Sequence, residues 1–241
     1  MRLIFLILIF VAGNSTCQKK NNETMPSVPV IPTSPPMEKK YSYLAFGDSY
    51  TIGESVPAAD NFPNQTVSFL NRGQTNFQPA RIIARTGWTT DELEAGIVSA
   101  NAADPLLSSY DFVSLLIGVN NQYRGRSVED YNPQFEALLK KAIQFAGGKA
   151  GHVIVLSIPD WGVTPFAQGR DRQQITREID AYNAANKSIV QRYQVHYIDI
   201  TAGTREAATD TTLLAGDGLH PSAKEYAKWA KAVAEIIKSE L

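Results

Sequence analysis

From position 41 onward the chain alternates short apolar runs with longer stretches whose apolar residues recur every three or four positions. Five runs read as strands: 43–46, 80–84, 112–117, 152–158 and 195–200. Most are continuously apolar rather than alternating, the pattern of strands covered on both faces. Helical periodicity follows each of them. A weak helix is predicted over 64–71. A stronger one spans 89–102, where Thr89 and Glu92 have capping-box spacing. A third spans 127–146, with Phe135, Leu138, Leu139 and Ile143 on one face and Gly147-Gly148 closing it. A fourth covers 172–192 through Ile175, Ile179, Tyr182 and Ile189. The last follows Ser222 and carries Tyr226, Trp229, Ala230, Val233 and Ile237 on one face. Strands alternating with helices predict a three-layer α/β/α sandwich around a central five-stranded parallel sheet, in a flavodoxin-like order.

The first forty residues break this pattern. Arg2 precedes an unbroken apolar run of about ten residues, too short to span a bilayer comfortably. A charged start and an apolar middle predict an export signal over 1–16. Cys17 is the only cysteine, so no internal disulfide can form. Its place just after the signal resembles the lipid-modified cysteine of bacterial lipoproteins. Asn14 departs from that pattern, where an aliphatic residue is usual. Residues 17–40 are polar and then rich in proline, at Pro26, Pro29, Pro32, Pro35 and Pro36. This composition predicts a flexible tether, reaching roughly 70 Å at about 3.1 Å per residue. A lipid at Cys17 would hold a mobile domain off the cell envelope; without it the domain would be secreted or periplasmic.

The remaining residues, 41–241, are enough for one domain with a substantial core. The net charge of −1 gives no electrostatic case for nucleic acid, or for membrane contact beyond a lipid anchor. Zinc-protease and phosphate-loop patterns are absent, so no metal and no cofactor is expected.

Candidate chemistry gathers where strands end. Gly47-Asp48-Ser49 breaks the first apolar run and presents a serine at the carboxyl edge of the sheet, where open α/β sheets keep their sites. A serine hydroxyl is a weak nucleophile until a base takes its proton, and the base needs an orienting partner. His220 is the candidate base and Asp217 the orienter, three residues apart in one loop. His152 and His196, within or at the edge of apolar runs, read as structural. Donors for a developing oxyanion are available after two other strands. Gly87 lies in Arg85-Thr86-Gly87-Trp88, and Asn120 in Gly118-Val119-Asn120-Asn121. The G-x-S-x-G elbow of ordinary α/β-hydrolases does not occur at Ser49, because residue 51 is threonine.

With these blocks in order, residues 41–241 resemble the GDSL/SGNH hydrolases. Gly47-Asp48-Ser49 matches the nucleophile block, implying that Ser49 is the nucleophile and that its backbone N–H is one oxyanion donor. Gly87 matches the second donor and Asn120 the third. Asp217-Gly218-Leu219-His220 matches the Asp-x-x-His block. One departure is Asn121, where the family often has aspartate; it questions the support of that loop. The resemblance implies a serine esterase or acylhydrolase working through an acyl-enzyme. With no long apolar insertion to form an acyl tunnel, short acyl groups are expected, such as acetyl on a carbohydrate. Trp88, Tyr123, Arg124, Asp160 and Trp161 sit in loops around the site, and Trp88, Tyr123 and Trp161 are candidate pocket walls. The alternatives are a lysophospholipase or thioesterase acting on longer chains, an acyltransferase, and an anchored binding module without catalysis.

Overall fold

The first strand, Tyr43–Asp48 (β1), lies inside the sheet, and all six of its residues are buried. In this computed structural model the described residues are Ile9, Gly13 and 39–241. The expected lipidation at Cys17, most of the export signal and most of the tether lie outside them. Residues 38–241 form one compact unit.

β1 runs into a single helical turn, Ser49–Ile52 (α1), and then Phe62–Arg72 (α2). Arg81–Arg85 (β2), Thr90–Ala103 (α3) and Phe112–Leu116 (β3) follow. Next come the short Val119–Tyr123 (α4) and the long Val128–Phe145 (α5). Val153–Leu156 (β4), Arg172–Arg192 (α6), His196–Ile198 (β5), Thr201–Arg205 (α7) and Ala223–Glu240 (α8) complete the series.

The strands are parallel in the order β2-β1-β3-β4-β5. Winding reverses between β1 and β3, which opens a crevice beyond their carboxyl ends. β3 and β4 are buried throughout, like β1, whereas β2 and β5 at the edges are partly exposed. α2 packs against α8, and α3, α5 and α6 pack in a row. Right-handed crossovers put these two groups on opposite faces.

Local signals explain the bounds. The weak 64–71 helix is longer than expected because Asn61 Oδ1 accepts the N–H of Asn64 at 2.9 Å and Pro63 occupies its first turn. Thr89 N–H donates to Glu92 Oε2 at 2.9 Å, the backward half of the expected capping box. α6 has the expected limits, capped by Asp171 Oδ1 on the N–H of Gln174 at 2.9 Å. The fourth and fifth strands are shorter than expected. His152 falls in a 3₁₀ turn before β4, its Nδ1 2.7 Å from the Asp111 carbonyl. Beyond β5, Ser157 Oγ takes the backbone N–H groups of Ile200 and Thr201 at 2.8 and 3.1 Å. A side chain there replaces the ladder, and the sheet stops.

β1 approaches its neighbour closely just before Ser49. A Cβ on Gly47 would lie 2.5 Å from the Leu116 carbonyl oxygen, so only glycine fits.

Candidate active site

Ser49 is the first residue of α1, directly after β1. Asp48 caps the turn by accepting the N–H of Tyr50 on Oδ1 at 3.0 Å. The Asp48 side chain is buried, and burial pushes its carboxyl up to about 7 against the opposing pull of that hydrogen bond. Ser49 opens into a cavity of about 180 Å³ that Gly87, Asn120 and His220 also line. Segments that follow three different strands, and one from near the end of the chain, therefore meet at one crevice.

Asp217 lies behind His220. Its Oδ2 accepts from His220 Nδ1 at 2.6 Å, and its Oδ1 accepts the N–H groups of Leu219 and His220, both at 3.0 Å. Ser55 Oγ donates to the same Oδ2 at 2.7 Å. Partial burial alone would raise this carboxyl, but these hydrogen bonds outweigh it and bring it down to about 2. An ionised carboxylate only accepts, so the Nδ1 it faces carries the proton. In the neutral imidazole this tautomer leaves the lone pair on Nε2. The imidazole also rests against the Tyr50 ring, with centroids 4.9 Å apart. The other histidines lie elsewhere: His152 stacks on Phe112, and His196 Nε2 is 2.8 Å from Glu240 Oε1.

Gly87 has φ +84°, a conformation that favours glycine, while a Cβ there would meet nothing closer than Arg124 Nη2 at 3.9 Å. The position thus requires glycine for its backbone rather than for lack of room. Arg124 Nη2 donates to the Gly87 carbonyl at 2.6 Å and Nη1 to Glu92 Oε1 at 3.0 Å. Arg124 therefore ties the Gly87 turn to the start of α3. Asn120 Nδ2 donates to the Trp88 carbonyl at 3.0 Å and lies 3.5 Å from Asp48 Oδ2. One amide hydrogen is anchored; the other has only a long, weak contact.

Asn121 resolves the question raised by the missing aspartate. Its Oδ1 accepts the N–H of Thr90 at 3.1 Å, and its Nδ2 donates to Thr90 Oγ1 at 2.8 Å. The Thr90 hydroxyl proton goes to Gln134 Oε1. That hydroxyl can only accept from residue 121, which an amide satisfies and a carboxylate does not.

Of the candidate walls, Tyr123 and Trp161 line the cavity and Trp88 does not. The Trp88 indole packs over Gly96 of α3, where any Cβ would clash with its ring. Only its carbonyl serves the site, through Asn120. Asp160 is buried and points away from the Ser49 cavity: its Oδ1 accepts from Gly162 N–H at 2.9 Å, and its Oδ2 from Thr176 Oγ1 at 2.8 Å and Arg205 Nε at 2.9 Å. It anchors the turn that carries Trp161. Ser55, Gln122 and Phe166 carry no signal of a role in the sequence. Trp161 Nε1 donates to Gln122 Oε1 at 2.7 Å, and Phe166 lines the cavity. Past Trp161 and Leu219 a further space measures only about 20 Å³. Among the described residues no group of three or more His, Cys, Asp or Glu side chains is placed to hold a metal.

Solved structures share this fold. TesA superposes with a TM-score of 0.63 at 17% identity, over 83% of this chain and 99% of its own. Axe2, an acetylxylan esterase from Geobacillus stearothermophilus, gives 0.61 at 20% identity, over 82% and 94%. The psychrotrophic esterase EstA from Pseudoalteromonas sp. gives 0.61 at 14% identity, over 83% and 98%. No curated protein matches the sequence significantly. The profile of the GDSL-like lipase/acylhydrolase family matches residues 45–228, well over half the chain and a span that contains Ser49, Gly87, Asn120, Asp217 and His220. The chain belongs to the GDSL-like lipase/acylhydrolase family.

Proposed function

We propose that this protein hydrolyses carboxylic esters of short acyl groups, such as acetyl on a carbohydrate, through an acyl-enzyme on Ser49. The observation that carries this reading is the convergence of Ser49, Gly87, Asn120 and His220 on one cavity, with Asp217 bonded to the far side of the imidazole. Ser49 Oγ attacks the acyl carbon while His220 Nε2 takes its proton. The Asp217 carboxylate holds the ring and balances the imidazolium. The negative charge on the former carbonyl oxygen is met by the N–H groups of Ser49 and Gly87 and by the loosely held amide hydrogen of Asn120. His220 then protonates the leaving alcohol as its C–O bond breaks. In the second half a water gives a proton to His220 and attacks the acyl carbon, and Ser49 is released with its proton restored as the acid departs.

The short-acyl preference is supported by the walls. Beyond Trp161 and Leu219 the space of about 20 Å³ holds roughly one water, not a hydrocarbon tail. The test compares p-nitrophenyl acetate with p-nitrophenyl octanoate, using wild type and Ser49→Ala. Turnover favouring acetate and lost in Ser49→Ala is expected. A preference for octanoate would instead identify a lipolytic enzyme, and equal near-zero rates on a broad ester panel would favour a binding module.

The apolar leader and Cys17 support a second element of the reading, an exported domain tethered by lipid to a bacterial envelope. Cys17→Ala should then release the protein from the membrane fraction; a membrane fraction free of the wild-type protein would contradict it.

A further inference from the structure

The outer wall of the Ser49 cavity is a cluster of three aromatic rings. Tyr123 and Trp161 meet edge to face at 5.4 Å, Trp161 and Phe166 at 5.9 Å, and Tyr123 and Phe166 lie 6.3 Å apart. Trp161 is buried, but Tyr123 and Phe166 are 43% and 44% exposed, among the most exposed large apolar side chains described. Tyr123 and Trp161 are held in place by their neighbours. The Arg170 guanidinium lies 4.9 Å over the Tyr123 ring and 5.4 Å over the Trp161 ring, and its Nη2 donates to Tyr123 Oη at 3.0 Å. Gln122, which takes the Trp161 indole proton, donates in turn to Glu178 Oε2 at 2.7 Å. Gln174 Nε2 donates to Glu178 Oε1 at 2.8 Å.

A second groove, of about 390 Å³, begins where the first cavity ends. Tyr123 and Trp161 line both, so the two spaces share one wall. Arg170, Asp171, Gln174 and Glu178 supply most of the polar lining of this groove, with Gln122 and the apolar Ile175 beside them. Its composition discriminates among occupants. A hydrocarbon tail would displace water from a guanidinium, two amides and two carboxylates and give them nothing in return. A polyanion would meet Asp171 and Glu178. A sugar ring offers an apolar C–H face to the exposed rings, and hydroxyls that both donate and accept to the charged groups beside them. Rigid aromatics next to a few convergent polar groups are also the usual make-up of a small-molecule site.

We infer that this groove is the subsite for the alcohol side of the ester, and that its occupant is a carbohydrate chain. The sugar bearing the acyl group stacks on Tyr123 and Phe166, and the next residue of the chain enters the polar groove under Arg170 and Gln174. The inference rests on the Ser49 ester-hydrolase reading and adds where the leaving group binds.

The test uses the full chain and three substrates, acetylated xylo-oligosaccharides, p-nitrophenyl acetate and p-nitrophenyl octanoate, with wild type, Phe166→Ala, Arg170→Ala and Gln174→Ala. The ratio of kcat/KM for the oligosaccharide to that for p-nitrophenyl acetate should fall at least tenfold in Phe166→Ala and Arg170→Ala, and by less in Gln174→Ala, mostly through KM. A catalysis-free arm titrates Ser49→Ala with xylohexaose and follows tryptophan fluorescence, expected to saturate and to lose that response with Arg170→Ala added. Ratios unchanged in all three variants would overturn the subsite while wild-type turnover of p-nitrophenyl acetate leaves the hydrolase reading standing. A larger loss on p-nitrophenyl octanoate than on the oligosaccharide would also overturn it, in favour of a lipid occupant. Absence of any ester turnover in wild type, with xylohexaose still bound, would remove the hydrolase reading and leave the groove.

Discussion

Ser55 donates its hydroxyl to the Asp217 oxygen that also accepts from His220, at 2.7 and 2.6 Å. The two residues are 162 positions apart. Ser55 sits just beyond the turn that carries Ser49, so this bond joins the serine segment to the Asp–His segment. Ser55 holds φ +67°, a left-handed conformation costly for a residue with a side chain. Ser55→Gly relieves that backbone cost and removes the CH2OH side chain, and with it the hydroxyl that donates to Asp217. A hydrogen bond to a charged group is worth about 1.5–3 kcal/mol, so kcat on p-nitrophenyl acetate should fall on the order of tenfold. Thermal denaturation should show no loss of Tm. A variant with unchanged kcat would mean that Ser55 does not position Asp217.

This bond has no trace in the sequence. Nothing local marks a serine in a left-handed turn, and its partner is most of the domain away. The strands β1, β3 and β4 are legible because a strand covered on both faces has no polar positions to spare. α6 is legible because Asp171 and an unbroken apolar stripe set its limits. Ser49, Asp217 and His220 suggest chemistry only together: serine and aspartate are ordinary turn residues, and it is the pairing of a strand-end serine with a loop histidine three residues from an aspartate that points beyond a turn. Side-chain direction is not. Trp88 and Trp161 both follow strands, yet Gly96 leaves room for one indole against α3 while Gln122 holds the other at the cavity. The ends of β4 and β5 are not legible either, because Ser157, a polar residue inside an apolar run, takes backbone groups that a longer ladder would have used.

Asp48 makes stability depend on pH. A carboxyl raised to about 7 holds its proton more tightly in the folded chain than in the unfolded one, where aspartate titrates near about 3.9. Its contribution is fully present below the unfolded value and is lost as pH rises through about 7. Asp48→Asn keeps the cap on Tyr50 N–H and cannot ionise. The Tm of Asp48→Asn minus that of wild type should therefore be more positive at about pH 8.5 than at about pH 4.5. An equal or smaller difference at the higher pH would refute the buried neutral carboxyl.

Asn121→Asp restores the residue common in the family and should weaken this particular chain. The aspartate loses the donor that Thr90 Oγ1 needs, because Gln134 already takes the Thr90 proton. Stability should drop by roughly 1–3 kcal/mol at neutral pH, read by urea denaturation. Pairing Asn121→Asp with Gln134→Lys should recover part of the loss, because a lysine cannot accept the Thr90 proton and so frees the hydroxyl to donate to the new carboxylate. No cost from the single change would show that the amide donor is dispensable.

Arg124 holds the Gly87 turn by its carbonyl while lying outside the cavity itself. Arg124→Met keeps the stem and removes the clamp. Loss of an oxyanion donor's alignment should lower kcat for p-nitrophenyl acetate by about tenfold, less than the roughly 100-fold or more of losing a donor outright, with KM little changed. A change confined to KM would place Arg124 in substrate binding instead.

The proposed ester hydrolysis depends on Ser49 being a nucleophile activated by His220. Labelling the folded protein with a fluorophosphonate probe and mapping the adduct by mass spectrometry tests it most directly. A single adduct on Ser49, formed at least roughly 100-fold more slowly in His220→Ala, is the predicted result; an unlabelled Ser49 in active protein, or labelling that ignores the loss of His220, would contradict it.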